Sequence, residues 1–276
     1  MQTAPAANRT AVPRPRSLGP ALDGLEAVPR HWFGGNVVAT HIANGVNLLF
    51  PAGERFFVRS VNHYLDRVTD PLLRDQVKGF FGQEGRHARE HERVFENLEH
   101  NGYDVRRFLG LYERIAYGVI EKLAPPALRL ATTAAAEHFT AILAENALER
   151  RLLAWADPTM HALLLWHAAE EIEHRAVAFD VLAAVRPGYA LRMAGLAMAT
   201  ACLGGFWLLS TAMLLGQEKD ISLERLRRDW RETKQRRGDQ QVFARGIRDY
   251  MRRDFHPSQN DTDELAARYL ASVGLA

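Results

Sequence analysis

Two stretches of this chain, "FFGQEGRHAREHER" at 80–93 and "WHAAEEIEHRAVAFD" at 166–180, set glutamate and histidine at a shared helical spacing inside apolar surroundings. At about 100° per residue, Glu84, His87 and His91 fall at i, i+3 and i+7, and His167, Glu171 and His174 at i, i+4 and i+7, each trio forming one narrow stripe. Trp166, Ile172, Val177 and Phe179 flank the second stripe, so its polar atoms point into packing. A carboxylate held away from water without a partner is costly. Such stripes therefore require either solvation or a cation that offsets the charge.

Two further glutamates occur singly in comparable settings, Glu54 in "FPAGERFFV" and Glu137 in "TTAAAEHFTAIL". Helical patterning is expected over 46–66, 71–97, 104–123, 127–154 and 158–185, punctuated by Asp70-Pro71, Asn101-Gly102, Pro125-Pro126 and Asp157-Pro158. No strand alternation is evident, so the fold class is all-α. Four long helices then supply Glu54, Glu84 with His87, Glu137, and Glu171 with His174, the order found in ferritin-like four-helix bundles with a dinuclear metal centre. Counting from Asp70 places Glu54 and Glu84 at similar heights in a hairpin. About Asp157 the counts for Glu137 and Glu171 differ by six residues, about 9 Å. The candidate metal ligands are Glu54, Glu84, His87, His91, Glu137, His167, Glu171 and His174. Glu170 is a substitute for Glu171 if the helix is rotated, while His138 and Glu173 fall off the stripes. Carboxylate and imidazole donors suit two divalent ions, iron first, with manganese or zinc as further fits.

The chain has 276 residues and a formal net charge of only +2, and no zinc-knuckle, RNP or phosphate-loop pattern, which argues against a nucleic-acid partner. Its single cysteine, Cys202, excludes an internal disulfide framework. Residues 1–30, rich in Pro and Arg, are expected as a disordered tail, followed by the helical bundle over 31–188. Residues 193–216 carry no charge across their length, enough for about 30 Å of hydrocarbon, with Gly204-Gly205 permitting a hairpin. A membrane-associated segment is thus expected over 189–217, and a basic helical region over 218–276 whose charge suits an anionic lipid surface. The expected location is the cytoplasmic side of a membrane, or the cytoplasm if the apolar segment is buried.

The motifs "AGERFFV", "FFGQEGRHAREHE", "AAAEHFTA" and "WHAAEEIEHRAVAFDV", in this order, with the later "RDFHPSQNDT", resemble a bacterial family described as predicted metal-dependent hydrolases, over roughly residues 30–260. The metal motifs alone are also similar to those of the di-iron arylamine N-oxygenases. That second resemblance implies seven ligands: His167, Glu171, His174, Glu54, Glu84, His87 and Glu137. The leading expectation is a dinuclear non-haem iron oxygenase or oxidase acting on a small hydrophobic substrate with an electron donor. A dinuclear metal-dependent hydrolase, with Glu170 as a general base, is the alternative, and a non-catalytic metal-binding bundle is the third reading.

Overall fold

The computed structural model describes residues 11–150, 152–186, 188–236 and 240–276. The chain is all-α, and among the described residues the only extended pairing is an isolated bridge between Phe33 and Ala156. Helices α1 (Val37–Asn47) and α2 (Phe50–Asn62) lead to the long α3 (Pro71–His100). Helix α4 (Arg106–Ile115) continues through a π-helical turn, Ala116–Ile120, into the short α5 (Glu121–Leu123). Helices α6 (Pro126–Arg150), α7 (Pro158–His174) and α8 (Val177–Val185) follow, then the apolar α9 (Tyr189–Leu215). Helices α10 (Leu223–Arg236), α11 (Gln240–Tyr250) and α12 (Asp263–Ser272) complete the chain.

The starts of these helices are written in local chemistry. The Asp70 and Asp157 carboxylates accept hydrogen bonds from the backbone N–H groups of Leu72 and Thr159, both at 2.9 Å, and a proline opens each helix where no N–H is needed. Residues 152–157 lie outside both helices, which explains why the uneven count about Asp157 does no harm. Glu137 lies 13 residues before the end of α6 at Arg150, and Glu171 lies 13 after the start of α7 at Pro158. In this antiparallel pair the two carboxylates are level. Helices α2 and α3 pair similarly, and contacts between α2 and α6 and between α3 and α7 close a four-helix body.

Three boundaries differ from expectation. The helix expected over 158–185 breaks after His174, because Arg175 turns to bond the carbonyls of Ile172 (2.5 Å) and Asn260 (3.0 Å) and the Asp263 carboxylate (2.5 Å). The apolar segment forms one continuous helix, with no hairpin at Gly204-Gly205. Packing of α9 along both α6 and α1 outweighs the modest helix cost of two glycines, about 1 kcal/mol each. A Cβ on Gly195 would overlap the Ala131 backbone, and the Ser210 hydroxyl donates to the Gly45 carbonyl at 2.9 Å, so α9 lies close on its neighbours. By length and composition α9 is long and apolar enough to cross a membrane, and its outward side, including Ala194, Ala201, Leu208 and Ala212, is uncharged.

The third difference concerns the expected N-terminal tail. Residues 1–10 lie outside the described residues, but 11–30 are packed, with two 3-10 turns (Gly19–Leu22 and Leu25–Ala27) that bury Leu22 and Leu25. This strap crosses α3 where Gly79 and Gly82 leave room: a Cβ on either would overlap Pro13 or Pro15. The proline and arginine content that reads as disorder instead fits a fixed extended path.

Beyond the end of α9, Glu218 ties the chain together. Its Oε1 lies 2.8 Å from His31 Nε2 and 2.7 Å from His41 Nε2 and accepts from the Tyr103 hydroxyl at 2.5 Å, while Arg30 donates to Oε2 at 3.3 Å. Burial pulls the Glu218 carboxyl upward, but the hydrogen bonds from Tyr103, His41 and His31 outweigh it and hold it at about 2. A folded-state value below the unfolded one stabilises the fold above the ordinary carboxylate range and loses that stabilisation as pH falls. In urea denaturation, Glu218→Gln is therefore expected to lower the midpoint at pH 7, with the gap to the wild type closing between roughly pH 4.5 and 2. A gap that stays constant through that window would show that the ionised carboxylate is not what stabilises this corner.

Candidate metal centre

Helices α2, α3, α6 and α7 each turn a glutamate toward one point, and α3 and α7 add histidines. Glu54, Glu84, His87, Glu137, His167, Glu171 and His174 are all buried. Two triads each have ligand-type atoms within 4.8 Å of one another: Glu54, His87 and His167 in one, Glu84, Glu171 and His174 in the other. The triads adjoin. Nδ1 of His87 lies 3.5 Å from Glu84 Oε1 and 3.7 Å from Glu171 Oε1, and Nε2 of His167 lies 2.8 Å from Glu171 Oε1 and 3.7 Å from Glu54 Oε1. Nε2 of His174 faces Glu84 at 3.2 Å, Glu137 at 3.3 Å and Glu171 at 3.5 Å.

An outer layer fixes the imidazole rings. Nε2 of His87 lies 3.0 Å from Glu170 Oε2, and Nδ1 of His174 donates to Gln83 Oε1 at 2.8 Å. Each ring thereby turns its other nitrogen toward the cluster. For His167 the anchor is His91, whose Nε2 lies 2.6 Å from His167 Nδ1 and whose Nδ1 contacts Asn47 Oδ1. With Asn47 as the final acceptor, protons point outward along this chain and leave His167 Nε2 for the centre.

His91 therefore stands apart from the set predicted by spacing, since both of its ring nitrogens are engaged. Seven residues beyond Glu84 it keeps the right face but sits about 10 Å farther along the axis. Glu170 is likewise occupied, accepting from His87 and from the backbone N–H (3.0 Å) and guanidinium (3.4 Å) of Arg16, so it is not a free base. Glu173, set aside from its angle, forms a two-pronged pair with Arg16 at 2.7 and 2.9 Å and accepts from Gln83 at 2.8 Å. His138 bonds the Gly246 carbonyl at 2.8 Å, away from the cluster. Asn47, Gln83 and Arg16 were missed, since nothing in their local spacing marks them. Glu170 and Glu173 carried a signal in the density of acids around Glu171.

The chemistry of the donor set fits a cation. Nine buried atoms at the cluster have no hydrogen-bond partner: both oxygens of Glu54, Glu84 and Glu137, Oε2 of Glu171, Nδ1 of His87 and Nε2 of His174. Orphan polar atoms of this density are rare in folded proteins. By contrast, His31, His41 and Glu218 also lie within ligand range of one another, but that carboxylate already accepts from Tyr103 and Arg30. At the cluster, burial drives Glu54 and Glu137 well above the carboxylate range, helped by neighbouring acids, and raises Glu84 to about 8. Burial also acts to raise Glu171, but His174 and His167 overcome it and hold that group low.

The family model described as predicted metal-dependent hydrolase matches residues 15–261, nearly the whole chain. The chain belongs to that family. No curated protein and no solved structure matches it. Membership agrees with a buried His/Glu cluster built for divalent metal, and it corrects the leading expectation from the sequence. The oxygenase or oxidase reading, with its electron donor, gives way to the hydrolase alternative. Glu-x-x-His stripes offer the same donors to a Lewis-acidic ion as to a redox ion, so spacing never separated the two. The likeness to the arylamine N-oxygenases stops at that spacing and finds no support in the comparisons.

Because burial raises the Glu84 carboxyl to about 8, it keeps its proton at neutral pH, and a divalent ion bound there must displace it. Adding zinc or manganese to metal-free protein in weak buffer at pH 7 is expected to release at least about one proton per chain, with release falling as pH rises past about 8. Metal uptake without proton release would contradict the electrostatics described here.

Proposed function

We propose that the cluster holds two divalent ions and that the chain hydrolyses a bond polarised there. Glu54, His87 and His167 hold one ion, Glu84, Glu171 and His174 the other, and Glu137, with both oxygens free beside His174, is the seventh ligand. The nine orphaned donor atoms carry this reading, because without cations they leave four carboxylates and two imidazoles unsatisfied in the interior. Bound divalent ions supply Lewis acidity toward a carbonyl or phosphoryl oxygen and lower the pKa of bound water.

The protein's own contribution is positional. Glu170 and Gln83 hold the His87 and His174 rings by the nitrogens that face away from the centre, and His91 does the same for His167. Trp166, fully buried, sets its ring edge-on to His87 with centroids 4.9 Å apart, closing that side to water.

Metal analysis of the purified protein is expected to give about two ions per chain, and chelation is expected to abolish hydrolysis of a panel of chromogenic carboxyl and phosphate esters. Glu137→Ala and His174→Ala should each reduce metal content, whereas Gln83→Met should keep the fold and weaken metal affinity by roughly 10–100-fold. Unchanged stoichiometry in both alanine variants, or ester hydrolysis that survives metal removal, would end this proposal.

A further inference from the structure

Beside the cluster lies a cavity of about 110 Å³ between α2, the α4–α5 segment, α6 and α9. Glu54 forms part of its wall, so it reaches the candidate metal centre directly. Its lining is otherwise mainly apolar, with Leu49, Phe56, Phe57, Met198 and Phe206 among the wall residues. Polar groups in the wall are largely spoken for. Thr132 and Thr140 donate to helix carbonyls at 2.8 and 2.9 Å, Tyr112 and Tyr117 bond each other at 2.5 Å, and Glu121 pairs with Arg59 at 2.7 Å. Apart from Glu54 of the metal cluster, Arg129 is the exception. It also lines the cavity, its Nε is buried without a hydrogen-bond partner, and it makes no ion pair among the described residues.

Arg129 and Glu137 are eight residues apart on α6, about 12 Å along the axis. Arg129 is half-buried, and its unpaired Nε–H at the wall of an apolar chamber favours an anion, while the chamber itself calls for hydrocarbon. Along the outside of the same wall, Leu111, Ile115, Val119 and Leu123 are exposed at four-residue intervals. The π-helical turn Ala116–Ile120 widens the helix there and contributes Ala116, Tyr117 and Ile120 to the lining.

We propose that this cavity binds an amphiphile, an apolar chain bearing an anionic group that pairs with Arg129, and that it presents the chain's scissile bond at the Glu54 side. The assignment of substrate class rests on the hydrolase reading above. Occupancy of the cavity does not, and it can be read without turnover.

Cys202, the only cysteine, also lines the cavity and reports on it. The rate at which a small methanethiosulfonate labels Cys202 in the full-length, metal-loaded protein is measured with octanoate, octyl phosphate, octan-1-ol or octyltrimethylammonium present. Either anionic amphiphile is expected to protect the thiol at lower concentration than the alcohol, and the cation least, with the better of the two anions identifying the headgroup. Arg129→Met is expected to raise the half-protecting concentration of that anion by about tenfold and that of octan-1-ol by less than about twofold. Arg129→Lys, which keeps the charge, is expected to retain the preference for anions, and unchanged thermal midpoints would confirm intact folding. Equal protection by anion and cation, an anion response untouched in Arg129→Met, or no protection by any amphiphile would overturn the proposal. A chain that binds octanoate through Arg129 yet cleaves no ester would refute the hydrolase reading alone. A chain that cleaves esters while Cys202 stays unprotected would refute the cavity assignment alone.

Discussion

Four carboxylates buried within a few ångströms of one another form the constraint from which the rest of this structure follows. Water cannot solvate them, and a Coulombic repulsion of several kcal/mol separates any two that ionise together in a poorly polarisable interior. The chain responds in two ways. Opposing imidazoles hold Glu171 low, while burial pushes Glu54, Glu84 and Glu137 upward, toward the neutral form, in the absence of a cation. The helices around them are long enough to place all four acids level.

Around that centre the protein keeps a second layer fully engaged. Glu170, Glu173, Gln83, His91 and Asn47 form hydrogen bonds that stop the inner rings from rotating, and the strap over α3 supplies Arg16 to neutralise the outer acids. Strap and site thus share one energetic logic: the two glycines at 79 and 82 exist in a helix, at a cost in helix propensity, because proline residues must lie against it. The corner at Glu218 shows the alternative outcome. A similar collection of His and Glu there is drawn together by Tyr103 and Arg30, which give its one carboxylate hydrogen-bond donors that the central acids lack.

The all-α class and the two glutamate–histidine stripes that the fold brings together were legible because both are periodic signals within single helices, read from Glu84 to His87 and from His167 to His174. Helix starts at Pro71 and Pro158 were equally plain, since capping is local chemistry. What stayed hidden depends on partners distant in sequence. His91 shares the face of Glu84 and His87, and only the position of Asn47 on another helix turns it into an anchor. Arg16 sits in a composition that suggests disorder, and only the glycines of α3 reveal a groove for it. The break after His174 is set by residues 257–263, and no window around Arg175 contains that information. Periodicity also cannot choose a reaction. The oxygen-activating expectation failed because ligand spacing records which donors meet, and the same donors serve an ion that exchanges electrons or one that only attracts them.

The strap has a consequence for how the molecule comes into being. Arg16, which neutralises Glu170 and Glu173, also donates from Nε to the carbonyl of Leu275 at 2.6 Å, a contact between positions 259 residues apart. The full set of Arg16 bonds is therefore incomplete until residue 275 has been synthesised, whatever the helices have done by then. During synthesis the glutamates and histidines of the cluster emerge well before Leu275, so the contact that fastens the strap over them closes only once translation is nearly complete.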